Sequence, residues 1–310
     1  MNLPIPGALR GSIEAGGTKV LCAVSRGYQH GFLARARFDT GSHPTALLRQ
    51  IVDWFLNAQQ QFGPLESLGV ASFGPVEPDP RSPQFGFITT TPKPGWQHTD
   101  LLGPLRAAFP GIRLGFDTDV NGAALAESRW GAGRGLEDFV YITVGTGIGG
   151  GGFSGGRLLH GLMHPEMGHL GLPRLPGDDF PGICPFHGQC WEGLCSGPAI
   201  AARTGIPVEQ LPADHPAWDY IIHSMAHALV NINYILSPRR ILLGGSVRRA
   251  GRLGEEAFFE KLRAAVRKLL NNYLASTTFS DSGLENFILP PALGDDAGLW
   301  GGVALAESAE

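Results

Sequence analysis

The stretch IEAGGTKVLCAV, residues 13–24, sets two apolar β-prone runs on either side of Gly16-Gly17, the pattern of a β-hairpin. The same arrangement returns at FVYITVGTGIGGGG, residues 139–152, where Phe139–Val144 is the first run and Gly145–Gly152 is expected as the turn. Each copy opens one half of the chain, which makes a weak internal repeat. At about 150 residues per domain, 310 residues suggest two lobes.

Outward from the hairpins, residues 44–62 carry apolar side chains at Leu47, Leu48, Ile51, Val52, Phe55 and Leu56, so an amphipathic helix is expected. A short buried strand is expected at Ser67–Ser72, ended by Phe73-Gly74-Pro75, and residues 76–97 are expected as loop and irregular strand. A short helix is predicted at Asp100–Phe109, capped by Asp100 or Thr99, then a strand at Arg113–Asp117 and a helix from about Val120 to Trp130. Residues 160–198 are expected as one long loop. Helices are expected near 218–236, 255–270 and 297–307, with a strand at 240–243 running into Gly244-Gly245-Ser246.

Hydrophobic content of 43% with 17% charged residues excludes a disordered chain. A net charge of −4 without a basic run argues against nucleic acid as the main ligand. The uncharged stretch from Val140 to Gly156 holds eight glycines and is no membrane span. No secretory signal is visible at the start, so a cytoplasmic protein is expected. Glycine is abundant, 45 residues against an average share of roughly 7%. Its clustering suggests places where backbone approaches a ligand closely.

Three groups of residues suggest chemistry. The turns Gly16-Gly17-Thr18-Lys19, Gly145-Thr146-Gly147 and Gly244-Gly245 can aim backbone N–H groups at phosphate oxygens, although glycine turns also occur in plain hairpins. In Asp117-Thr118-Asp119-Val120-Asn121, Asp119 is either a helix N-cap or a general base that accepts the proton of a hydroxyl during phosphoryl transfer. His169, Cys184, His187 and Cys190 supply two imidazoles and two thiolates, a closed tetrahedral set for structural Zn²⁺. The alternative is two buried thiols and two surface histidines. Cys195 is expected as a buried thiol.

These motifs, in this order, resemble the ROK (repressor, open reading frame, kinase) sugar kinases, most of all their zinc-containing bacterial fructokinase branch. Glu14–Lys19 is similar to the first phosphate motif, Phe73–Pro75 and Thr91–Trp96 to the fructokinase substrate loops, and Thr143–Gly149 to the second phosphate motif. Glu166–His169 resembles the Glu-x-Gly-His motif, Cys184–Glu192 the zinc and sugar segment, and Leu243–Val247 the adenosine motif. The chain has Glu14 where many members carry Asp, His187 where many carry a third cysteine, and Thr118 in place of a sugar-contacting Asn.

The resemblance implies an α/β fold of two ribonuclease-H-like lobes, of the actin and hexokinase type, with a central cleft. The smaller lobe would span residues 1–117 with 297–310, and the larger 118–296. It implies a kinase that uses ATP and Mg²⁺ on a hexose, fructose first, with Asp119 as catalytic base. ATP contacts are expected from Gly16, Gly17, Thr18, Lys19, Gly145, Thr146, Gly147, Pro198, Gly244, Gly245, Ser246, Val247 and Arg248. Sugar contacts are expected from Gly74, Asp119, Glu166, His169 and Glu192. A homodimer is implied, with sugar and ATP as partners and neither nucleic acid nor membrane. Glucokinase, mannokinase and N-acetyl sugar kinase are the rivals within the class. The rivals outside it are a sugar-responsive regulator, not expected because the phosphate motif already begins at Glu14, and a catalytically dead zinc-stapled scaffold, against which Asp119 and the three glycine turns argue.

Overall fold

The computed structural model describes residues 7–309. They divide into two compact units, one built from the described residues up to Arg134 with Leu159–His164 and the segment from Asp295, the other from Gly135–Leu158 and Pro165–Gly294. Among the described residues, no helix is long and apolar enough to cross a membrane.

In the first unit the chain runs β1 (Leu9–Ala15), β2 (Lys19–Ser25), β3 (Phe32–Asp39), α1 (Pro44–Phe62), β4 (Leu65–Ser72), α2 (Gly103–Ala108), β5 (Arg113–Thr118) and α3 (Asp119–Trp130). The hairpin β1–β2 forms as its sequence predicts, with Ile13 opposite Cys22. The sheet order is β3-β2-β1-β4-β5. β1, β4 and β5 are parallel and end in register, Ala15 beside Ser72 and Ser72 beside Thr118. The turns after these three strands therefore share one edge of the sheet, where ligands bind in open α/β folds. α1 has its expected bounds and buries Leu47, Leu48, Ile51 and Phe55 on the sheet. α2 begins three residues later than expected. Asp100 lies outside it, and its Oδ1 accepts from the N–H groups of Leu102 and Gly103.

In the second unit follow β6 (Phe139–Val144), β7 (Ile148–Ser154), β8 (Arg157–Leu158), α4 (Trp191–Cys195), α5 (Gly197–Thr204), α6 (Ala217–Leu236), β9 (Ile241–Gly244), α7 (Glu255–Leu270), α8 (Asp281–Phe287) and β10 (Ile288–Leu289). Their sheet order is β10-β9-β6-β7-β8. The expected eight-residue glycine turn shrinks to Gly145-Thr146-Gly147, because Ile148–Gly152 pairs with β6 as a strand. A Cβ at Gly150 would meet Met167 Sδ at 2.5 Å, so that glycine serves packing. The segment 160–198, expected as one loop, holds α4 and the start of α5.

The last helix, α9 (Ala297–Ser308), belongs to the first unit and is apolar all round because it is buried all round. It lies on β4 at backbone distance: a Cβ at Gly69 would stand 1.9 Å from the Gly302 carbonyl oxygen. α3 crosses it where a Cβ at Gly301 would stand 2.4 Å from the Gly122 carbonyl carbon. Glycine abundance thus has a second cause besides ligand approach, namely helices seated directly on strands and on each other. The same packing keeps α3 in the first unit, so the boundary expected at residue 117 falls inside that unit.

Candidate functional site

At the edge of the first sheet, β5 delivers Asp119 as the first residue of α3. The cap is Thr118, whose hydroxyl accepts from Asn121 N at 3.1 Å, so Asp119 itself does not cap the helix. Asp119 Oδ1 accepts from Val120 N at 2.9 Å, and burial lifts its carboxyl to about 7 in spite of that bond. Beneath it Asp117 is buried, with Oδ1 accepting from Thr118 N at 2.7 Å and from Asn121 Nδ2 at 3.0 Å.

Glu14, near the end of β1, packs against α9: a Cβ at Gly298 would stand 2.4 Å from its carboxyl carbon. Its Oε2 is buried without a hydrogen-bond partner. Burial first, then the charge of Asp119, pushes its carboxyl to about 7 against the opposing pull of Lys19. The Gly16 turn is tied by Gly16 N to Lys19 O at 2.9 Å, and Thr40 Oγ1 donates to Gly16 O at 2.8 Å. Thr18 and Lys19 are exposed there. Phe73 N donates to Ala15 O at 2.8 Å, which brings Gly74 to the same edge. Trp96 is buried rather than presented to a ligand. Its ring meets Phe73 edge-on at 5.4 Å, and its indole N–H donates to Gly41 O at 3.0 Å.

The second unit gathers the other predicted contacts at the ends of β6 and β9. Thr143 pairs with Gly244, so the turns after both strands lie side by side. Gly245 takes φ +84°, and a Cβ there would meet Val144 O at 2.2 Å. Gly197 N donates to Gly145 O at 2.7 Å, which seats Pro198, in the first turn of α5, beside the same turn. Thr146, Pro198 and Ser246 are exposed, whereas Val247 is core and Arg248 is buried in an ion pair with Glu255. Gly147 borders Glu192, whose Oε2 accepts from Ile148 N at 2.8 Å, so the carboxylate also braces the glycine turn.

His169, Cys184, His187 and Cys190 come together with one ligand atom from each, all within 4.8 Å of one another. Zn–S of about 2.3 Å and Zn–N of about 2.0–2.1 Å at tetrahedral angles put N and S about 3.6 Å apart. The Nδ1–Sγ separations are 3.4 Å for His169 with Cys190, 3.8 Å for His169 with Cys184 and 3.6 Å for His187 with Cys184. The donor set therefore fits Zn²⁺. Burial pushes the Cys190 thiol up to about 11, so a cation is needed to hold it as thiolate. Glu166 is exposed, with Oε2 3.9 Å from His169 Nε2. Cys195 is a fully buried thiol facing the Ile221 carbonyl, as expected.

The segment carrying these four residues is pinned elsewhere by residues the sequence did not flag. Asp178 is buried between Arg174 and Arg203 of α5. Burial opposes its ionisation, but the two guanidiniums outweigh this and hold the carboxyl below its ordinary value. Asp117, given no role of its own in the sequence, meets the unflagged His160 at 2.9 Å, while the unflagged His164 accepts from the Val76 amide. Asp117 and Asn121 do stand four apart around Asp119, the one trace of this cluster in the sequence.

A family model described as ROK family matches residues 10–309. The chain is 43% identical over 305 residues to a fructokinase of Zymomonas mobilis, covering 97% of each. It is 38% identical over 301 residues to a fructokinase of Pediococcus pentosaceus, covering 97% of this chain and 98% of that one. Among solved structures it resembles a ROK hexokinase from Thermus thermophilus with a TM-score of 0.73 and 26% identity, covering 97% and 98% of the two chains.

Proposed function

The chain belongs to the ROK family, and from that premise we propose that it transfers the γ-phosphoryl group of ATP to D-fructose, giving ADP and D-fructose 6-phosphate. The observation that carries the chemistry is Asp119 at the start of α3, partly buried, with a carboxyl lifted to about 7. A carboxylate of that basicity is matched to taking a proton from a sugar hydroxyl near neutral pH. Full-length similarity to fructokinases supports fructose as the acceptor.

Asp119 accepts the proton of the attacking hydroxyl, and Asp117 holds the residues around it. Gly74, Glu166, His169 and Glu192 orient the sugar. Gly16, Gly17, Thr18, Lys19, Gly145, Thr146 and Gly147 receive the phosphates through backbone N–H groups and side chains. Pro198, Gly244, Gly245 and Ser246 frame the adenosine, with Val247 and Arg248 supporting that wall from the core. Mg²⁺ carried by the nucleotide supplies neutralisation of its phosphate charge. Zn²⁺ would be held by His169, Cys184, His187 and Cys190, a closed set whose contribution is structural. A homodimer is part of the same reading.

Coupled ADP release across fructose, glucose, mannose and N-acetylglucosamine tests the proposal. Fructose is expected to give the highest kcat/KM, with Mg²⁺ required. Equal use of glucose would remove the fructose assignment and leave a hexose kinase; no turnover with any sugar would remove the kinase.

A further inference from the structure

We propose that Leu159–His164 is a strap whose two histidines set the spacing between the Asp119 turn and the Gly74 turn, which makes His160 and His164 positioning residues for the phosphoryl transfer. The inference rests on the kinase reading above. The chain on both sides of this segment packs in the second unit, whereas the segment itself packs in the first.

A directional imidazole bond is present at each end of the strap. His160 Nε2–H donates to Asp117 Oδ2 at 2.9 Å. The other oxygen of Asp117 binds Thr118 N and Asn121 Nδ2, the residues flanking the base. Asn121 Nδ2 also reaches the Leu159 carbonyl at 3.4 Å. One carboxylate thus connects His160 to both sides of Asp119. At the other end, buried His164 accepts from Val76 N at 3.1 Å through Nε2. Its Cε1 lies 3.2 Å from the place a Cβ on Gly74 would occupy, so the ring closes over the Gly74 turn.

Between the two histidines the strap has no core of its own. Gly161 N bonds to Met163 O at 2.8 Å, and Leu162 projects fully into solvent. Apolar burial therefore does not hold the middle of this segment; the imidazoles at its ends do. Both bonds are short and directional, so the strap transmits distance rather than bulk. Misplacement of a reacting group by about 1 Å costs up to about a hundredfold in rate, so a small slip of either end is measurable.

The test compares His160→Ala, His160→Gln, His164→Ala and His164→Gln, each checked for folding by circular dichroism. Steady-state kinetics with fructose and MgATP read the positioning. His160→Ala is expected to lower kcat by about tenfold to a hundredfold, with KM for ATP changed less than about twofold. Gln places a nitrogen near the lost Nε2, so His160→Gln should recover most of that loss. His164→Ala is expected to raise KM for fructose several-fold with a smaller effect on kcat, again relieved by Gln. Amide hydrogen exchange reads the strap without turnover: His160→Ala should speed exchange at Thr118 and Asn121, and His164→Ala at Val76. Folded alanine variants with wild-type kinetics overturn the proposal, as do alanine and glutamine variants that lose activity equally, or unchanged exchange at these amides. If the wild-type protein phosphorylates no hexose, the kinase reading fails instead, and the exchange result still decides whether the strap holds these turns.

Discussion

Asp119 and Glu14 are two carboxyl groups held near neutrality by their surroundings, and the residue scale is where their chemistry is decided. Replacing Asp119 by Asn keeps the size and loses the base, so kcat should fall by roughly 10²–10⁴-fold. Retention of more than about a tenth of wild-type kcat would remove Asp119 from that role. The same two groups link stability to pH. Both folded pKa values, about 7, lie above the ordinary carboxylate range. The folded state therefore holds protons the unfolded chain releases. Their favourable contribution is complete below the unfolded pKa values and is lost as pH rises through about 7. Asp119→Asn and Glu14→Gln should each melt above wild type at pH 8.5, and the gap should close toward pH 5. The kinase rate should run the other way and rise through pH 7 as the base is freed. A Tm difference that does not vary with pH would contradict the raised pKa values of these carboxyls.

At the scale of elements, two segments carry separate expectations. The Cys/His segment reaches from Glu166 to Glu192, and the four proposed ligands join a short turn at His169, a loop at Cys184 and His187, and Cys190 just before α4. Without the metal, ordering that backbone costs about 1–2 kcal/mol per residue with little burial in return. Cys190→Ser should lose zinc and activity together, and chelation should raise fructose KM, lower kcat, or both. Metal analysis of protein purified without chelator should find one Zn²⁺ per chain, and its absence or a fully active Cys190→Ser enzyme would refute the site. α9 against β4 is a different kind of joint. A Cβ on Gly69 meets backbone at 1.9 Å, which cannot rotate away. Gly69→Ala should cost roughly 1–3 kcal/mol by overpacking, read as a lower urea midpoint. An unchanged midpoint would mean that α9 does not lie at backbone distance on β4.

For the whole molecule, the proposed base Asp119 lies in one unit and the proposed adenosine-framing Gly244 turn in the other, so loss of the base is expected to leave nucleotide binding largely intact. A non-hydrolysable ATP analogue with Mg²⁺, at about 100 times its Kd, should stabilise the protein by about 2.7 kcal/mol, and Asp119→Asn should keep that thermal shift. Its loss in the variant would mean that Asp119 holds nucleotide instead of serving as base. The sequence by itself determined the two hairpins, the bounds of α1 and α7, the Gly16-Gly17 turn and the grouping of His169, Cys184, His187 and Cys190. These rest on local periodicity, on turn residues and on ligand spacing, which neighbours along the chain settle without help. Tertiary structure alone decided which glycines face backbone instead of phosphate. It decided that Thr118 rather than Asp119 caps α3, that α3 packs with the first unit, that His160 meets Asp117, and that His164 meets the Val76 amide. Each of these depends on groups far apart in sequence, such as Gly69 and Gly302 or Asp117 and His160, and a spacing along the chain carries no record of such a meeting.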